Sequence, residues 1–264
     1  MPNDAPILLD KHHDDASVFL PENLLREARR QKLLPASAVP DICVLDPDGD
    51  LVAALRAAGK TRKSPGWACY HTTLDEVDHA GETLGIVGCA VGASFAVLVA
   101  EQLFASGCRF VVSVTSAGQL RDLGPTPYFV LIDRALRDEG TSYHYLPPTM
   151  FARADPALAD VVMGAVASGP LTVHRGATWT TDAPFRETAR AIAAAREQGA
   201  VAVEMEAAAL YAFAQARNRA VICFAHVTNQ MAQVEGDFEK GEADGATATL
   251  EIIAATARAW RTMA

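Results

Sequence analysis

The chain has 264 residues, 50% of them hydrophobic, and a formal net charge of −9. That length and apolar content sustain one large core. The negative balance argues against nonspecific nucleic-acid binding, which needs basic patches, and no apolar run reaches the roughly eighteen residues of a membrane span, so neither partner is expected.

Met1 to Pro6 carries neither the basic region nor the apolar stretch of a secretory leader, which points to the cytoplasm. Residues 1–40 read as an N-terminal extension and helix, and 41–264 as one catalytic domain. Residues 1–20 are polar and irregular. Pro21 to Leu33 is an amphipathic helix with proline near its start. Ile42 to Leu45 is a buried strand, closed by the turn Asp46-Pro-Asp-Gly-Asp50. A helix follows over Leu51 to Ala58, then strands over Trp67 to Thr72 and Glu82 to Cys89. The helix Val91 to Ser106 is rich in Ala and Val, hence buried. Phe110 to Val114 and Tyr128 to Ile132 are strands, Pro156 to Ala167 a helix, and Leu171 to Arg175 a strand. Pro184 to Gln198 is helical, Ala200 to Val203 a strand, and Glu206 to Arg217 a helix. Ala220 to Val227 is the last strand and Gly245 to Thr262 the closing helix.

Strands and helices alternate, and the strands are continuous apolar runs, as in a sheet covered on both faces. The fold class is therefore α/β: a single-domain, three-layer α/β/α arrangement around a mixed, twisted sheet. Such folds bind ligands beyond the carboxyl ends of their strands. The residues there are Asp46, Gly88 to Gly92, Thr115 and Ser116, Trp179 to Asp182, Glu204 to Glu206, and Thr228 with Asn229.

The strongest signal among them is Glu204-Met205-Glu206. Two carboxylates between Val203 and Ala207 are costly to desolvate unless a ligand or hydrogen bonds satisfy them. A carboxylate accepts two hydroxyl protons and a methionine offers a flat apolar surface, which together suit a ribose. Capping of the next helix is the structural alternative. Gly85 to Gly92 lacks dinucleotide-fingerprint spacing; its N–H groups and the following helix start would attract an anion or sugar oxygen, or else only make a tight turn. Thr115 and Ser116 offer hydroxyls to a phosphate, or cap the next segment. Trp179 could stack on a base beside Thr180, or pack in the core; Asp182 reads as a cap for the helix at Pro184. The Asn229 amide suits a nucleobase edge, or a turn. Arg137 to Pro147 reads as a loop crossing the site, with His144 a candidate contact. Seven histidines and five scattered cysteines show no triad order or metal spacing, so no metal is expected and the cysteines read as buried small hydrophobes.

Val203-Glu-Met-Glu-Ala-Ala-Ala-Leu210 resembles the V-E-M-E-x-A-A signature of the nucleoside phosphorylase and nucleosidase superfamily, in its uridine phosphorylase and hexameric purine nucleoside phosphorylase branch. The Gly-rich turn at 85–92, Val111 to Gly118, Trp179 to Glu187 and Val227 to Asn229 follow in the same order. The resemblance implies a nucleoside as the small-molecule substrate, cleavage of its N-glycosidic bond, a place in nucleotide salvage, no cofactor, and a homo-oligomer built from dimers, up to a hexamer. It implies Glu206 on the ribose hydroxyls with Glu204 in support, Met205 beneath the sugar, Trp179 and Thr180 at the base, and Asn229 where an acid often assists the leaving base. Ser116, Thr115 and Gly88 fall at the phosphate or water site.

Two departures bear on the nucleophile. The family's phosphorylases carry an arginine where this chain has Ser113, and a G-D-P-x-R loop where it has Leu45-Asp-Pro-Asp-Gly49. Each lost charge-assisted hydrogen bond to phosphate is worth ~1.5–3 kcal/mol. Phosphorolysis to base and ribose 1-phosphate, with inorganic phosphate as co-substrate, is the leading expectation, provided that Arg62, Lys63 or Arg186 substitutes. The alternatives are hydrolysis with Asp46 or Asp48 as base, and a non-catalytic nucleoside-binding or storage protein.

Overall fold

Five successive buried residues make up β1 (Ile42–Asp46), so this strand must lie inside a covered sheet. In the computed structural model, which describes residues 7–231 and 235–263, β1 runs parallel between β4 (Glu82–Gly88) and β5 (Phe110–Gln119). The far edge of β5 pairs in parallel with β10 (Ala220–Asn229). From there the sheet continues to β6 (Tyr128–Asp138), β8 (Val173–Thr181) and β9 (Ala200–Glu204). Then it closes: Gly118 and Gln119 of β5 pair with Val203 and Ala202 of β9. Five strands thus form a ring, β5-β10-β6-β8-β9. The short strands β2 (Arg62–Lys63) and β3 (Asp75–His79) extend the sheet beyond β4, and β7 (Phe151–Arg153) lies beside β6.

Helices cover this mixed α/β sheet, as expected. They are α1 (Pro21–Lys32), α2 (Asp50–Ala57), α3 (Ala93–Ala105), α4 (Pro156–Val166), α5 (Ala189–Glu197), α6 (Ala207–Arg217) and α7 (Ala246–Arg261). α6 is buried on all sides over its first two turns, which its Ala-rich start permits. α1 docks through Leu25 and Ala28 against Ala68.

Several expectations are corrected. Trp67 to Thr72 is irregular; the strand lies at Asp75–His79, masked in the sequence by its acidic residues. Asp75 is buried there because Arg56 and Lys63 both pair with it. The helix placed at Pro184 to Gln198 is a 3-10 turn, Pro184–Arg186, followed by α5, whose cap is Thr188 rather than Asp182. Asp182 instead accepts the Gly140 N–H. Thr115, Ser116, Trp179, Thr180 and Asn229, expected just past their strands, lie within them. The segment 7–20 contains a 3-10 turn at Ile7–Leu9. Cys89 is exposed; the other cysteines are buried. The leader expectation for Met1 to Pro6 lies outside the described residues.

Candidate active site

The two acids of Glu204-Met205-Glu206 have different partners. Glu204 ends β9 and faces the first turn of α6. Its Oε2 accepts the N–H groups of Glu206 and Ala207, both at 2.7 Å. Its Oε1 accepts the hydroxyls of Thr178 at 2.9 Å and Thr180 at 2.5 Å. Thr180 in turn accepts the Ala208 N–H. Burial raises the Glu204 pKa and these donors oppose it. Glu204 is a fully satisfied buried acceptor holding the strand to the helix, and Thr180 belongs to that support rather than facing a base.

Glu206 is the N-cap residue of α6 and is 1% exposed. Its Oε1 accepts the Gly92 N–H at 2.7 Å, at the start of α3. The anion expected at this helix terminus is thus one of the protein's own carboxylates. Its Oε2 has no hydrogen-bond partner among the described residues. Burial first, then the neighbouring Glu204 charge, push its pKa up to about 8, against the Gly92 N–H and the nearby Thr115 hydroxyl. A buried carboxyl oxygen left unpartnered at a helix start is a candidate contact for a ligand hydroxyl. Met205, between the acids, is half-buried.

The ends of β1 and β5 are neighbours in register, Leu45 opposite Ser113. The turn after β1 therefore reaches the end of β5. Asp48 crosses that gap: its carboxylate accepts the Ser116 N–H and the Ser116 hydroxyl, each at 2.8 Å. Gly49, at φ +82°, makes the turn back into α2, and a Cβ there would lie 2.6 Å from Cys89 Sγ. Behind Asp48 is a cavity of about 20 Å³ lined by Asp46, Asp48, Asp50, Thr115, Ser116, His226 and Lys240, among others. That is room for about one water. Asp46 is buried, accepts the Val52 N–H at 2.9 Å, and has its pKa raised to about 6 by burial, reinforced by Asp48 and Asp50. Lys240 pairs with Asp50. His226 stacks on Phe129 at 4.4 Å, and burial lowers its pKa to about 4, so it is neutral at pH 7.

Trp179 lies on β8 opposite Val203 of β9 and does not line the acidic cavity. It packs with Leu120, Leu136, Ala195 and Val203, and its indole N–H donates to Asp138 at 2.9 Å. Together with Leu136, Met150, Ala191 and Gln198 it lines an open cavity of about 610 Å³. Asn229 has its oxygen engaged by the Met231 N–H and its amide by Thr228. Gly88 lies on β4, paired with Asp46, where a Cβ would meet Val52 Cγ1 at 2.5 Å; it admits α2 rather than offering an anion site. Arg62 pairs with Glu76 and Asp78, and Lys63 with Asp75. Neither these nor Arg186 lines the acidic cavity. Arg137 donates to the Leu146 and Pro147 carbonyls and shapes that loop, while His144 is exposed. Lys240 and His226 were missed by sequence reasoning: one lies in a polar loop, the other inside an apolar strand, and neither has a local motif.

A family model described as the phosphorylase superfamily matches residues 22–261. No curated protein matches the sequence. Among solved structures, the chain is similar to uridine phosphorylase from Vibrio fischeri ES114 complexed with 6-hydroxy-1-naphthoic acid: TM-score 0.69, 19% identity, 86% of this chain and 93% of that one covered. It is also similar to purine nucleoside phosphorylase from Toxoplasma gondii in complex with immucillin-H (TM-score 0.69, 15% identity, 84% and 90% covered). A third is the Campylobacter jejuni 5'-methylthioadenosine/S-adenosyl homocysteine nucleosidase (TM-score 0.67, 16% identity, 83% and 99% covered). At these identities the likeness is one of fold.

Proposed function

The chain belongs to the phosphorylase superfamily, and from that premise we propose that it cleaves the N-glycosidic bond of a nucleoside with water as the nucleophile. Glu206 carries the sugar end of this reading. Its Oε2 takes a ribose hydroxyl, and in the ionised form, reached as the proton leaves near pH 8, its negative charge stabilises the ribosyl cation as the bond to the base lengthens. Met205 lies against the sugar ring. The Trp179 ring, on the strand next to β9, is the candidate surface for the base. Water oxygen bonds to the anomeric carbon as the C–N bond breaks. The bond pair leaves with the base, which takes up a proton from solvent. The water's proton passes to Asp46, whose pKa near 6 suits a base at neutral pH.

The observation that favours water over phosphate is the acidic cavity. It has about 20 Å³ of room, four aspartates around it (Asp46, Asp48, Asp50 and Asp244), and a lysine already paired. A phosphate dianion there meets like charge and no free cation among the described residues. This reading places hydrolysis ahead of the phosphorolysis expected from the resemblance.

The test is base release from a panel of purine and pyrimidine nucleosides, followed by absorbance in phosphate-free buffer and again with added inorganic phosphate. Hydrolysis gives the same rate in both and free sugar as the product. Dependence on phosphate, with sugar 1-phosphate formed, overturns it. Tight nucleoside binding without single turnover would instead favour the storage reading.

A further inference from the structure

Asp48 is exposed, so water could satisfy its carboxylate. It nonetheless reaches across from the β1 turn to a residue 68 positions later and takes both donors that Ser116 offers. A backbone N–H and a hydroxyl converging at 2.8 Å form a cradle for an oxyanion. The carboxylate charge is felt by the surrounding groups: it raises Glu206 and Lys240 and opposes the lowering of His226. Asp48 is therefore a resident anion on the wall of the acidic cavity, seated on the Ser116 donors.

We propose that Asp48 sets the choice of nucleophile: by filling the Ser116 cradle with the protein's own carboxylate, it keeps oxyanions out and admits only a neutral water. The proposal rests on the hydrolytic reading above for its catalytic consequence, but its binding consequence stands by itself. With the side chain removed, the Ser116 N–H and hydroxyl face an open space next to Lys240. That is a donor set for a tetrahedral oxyanion, with Asp46, Asp50 and Asp244 remaining on the cavity wall but no longer a carboxylate on the Ser116 donors themselves.

The experiment uses the full chain and inorganic phosphate as the probe. Phosphate binding is read by ³¹P line broadening, and products are separated as free sugar and sugar 1-phosphate. Wild type is expected to show no saturable phosphate binding at millimolar concentrations, whereas Asp48→Ala binds about tenfold tighter or better, since a like charge is removed and donors are freed. Adding Ser116→Ala to that variant should abolish the gain. Where a nucleoside is turned over, Asp48→Ala should form some sugar 1-phosphate. Asp48→Asn, which keeps the shape and drops the charge, should shift in the same direction and serves if the alanine variant folds poorly.

Phosphate binding by wild type equal to that of the variants overturns the proposal, as does an Asp48→Ala variant with no gain or a gain that survives Ser116→Ala. The ³¹P measurement needs no turnover. A wild type that releases no base while Asp48→Ala gains phosphate binding therefore sinks the hydrolytic reading and leaves the assignment of Asp48 standing.

Discussion

Glu206 trades stability for readiness. Its pKa is raised from 4.5 to about 8, so between those values the native state holds a proton that the unfolded state has lost. Stability contributed by this group therefore falls as pH rises across that window and is flat above it. Glu206→Gln removes the ionisation. It should be more stable than wild type, by a margin growing from about pH 5 to 8 and reaching the order of a few kcal/mol. The same variant should lose about 10²-fold or more in kcat/KM, because a neutral amide cannot stabilise a ribosyl cation. Thermal unfolding against pH, beside steady-state kinetics, checks both; a less stable or fully active variant refutes the role. In wild type, kcat/KM should rise with pH as Asp46 loses its proton near 6 and again as Glu206 loses its own near 8. Asp46→Asn should remove the lower inflection, and an unchanged profile would exclude Asp46 as the base. The sequence marked both acids of Glu204-Met205-Glu206. Only the donors around each tell them apart.

At the scale of elements, Glu204 is a joint. It couples β9 to the start of α6 and to β8 through four donors. Glu204→Gln turns an NH₂ group toward groups that can only donate or already do. Stability should fall by about 2–4 kcal/mol, read as a drop in the denaturation midpoint at an unchanged slope. A variant as stable as wild type would mean that the joint is held otherwise. The contrast with Glu206→Gln, expected to stabilise, separates the structural acid from the one proposed to work on the sugar. Element types were legible wherever the apolar pattern was strong, as in β1 and α3. They were hidden at β3, where Asp75, Glu76 and Asp78 make a strand look like a loop until Arg56, Lys63 and Arg62 supply its partners. Strand ends look short in the sequence, because Thr115, Ser116 and Trp179 are polar or aromatic, yet Thr115 and Ser116 stay in register with β10 and Trp179 with β6 and β9.

At the scale of the whole molecule, large apolar side chains stay uncovered: Phe185 is 100% exposed, Val18 99% and Phe19 74%. Isolated exposed side chains are ordinary, but the homo-oligomer expected from the resemblance gives them something to cover. Sedimentation equilibrium at micromolar concentration should return a multiple of 28.0 kDa, and a monomer would refute that. The amino-acid sequence by itself determined the α/β class, through alternating apolar runs, and marked Glu204-Met205-Glu206, the segment proposed to hold the sugar, because both acids and the methionine lie within three residues. Tertiary structure alone decided the rest. Ring closure through β5 brings the ends of strands distant in the chain together, and the parallel register of β1 and β5 sets Asp48 against Ser116. It also brings Lys240 and His226 to the same cavity. The acidic cavity is made of residues up to about two hundred positions apart, and no local pattern carries a charge balance that exists only once those strands are side by side.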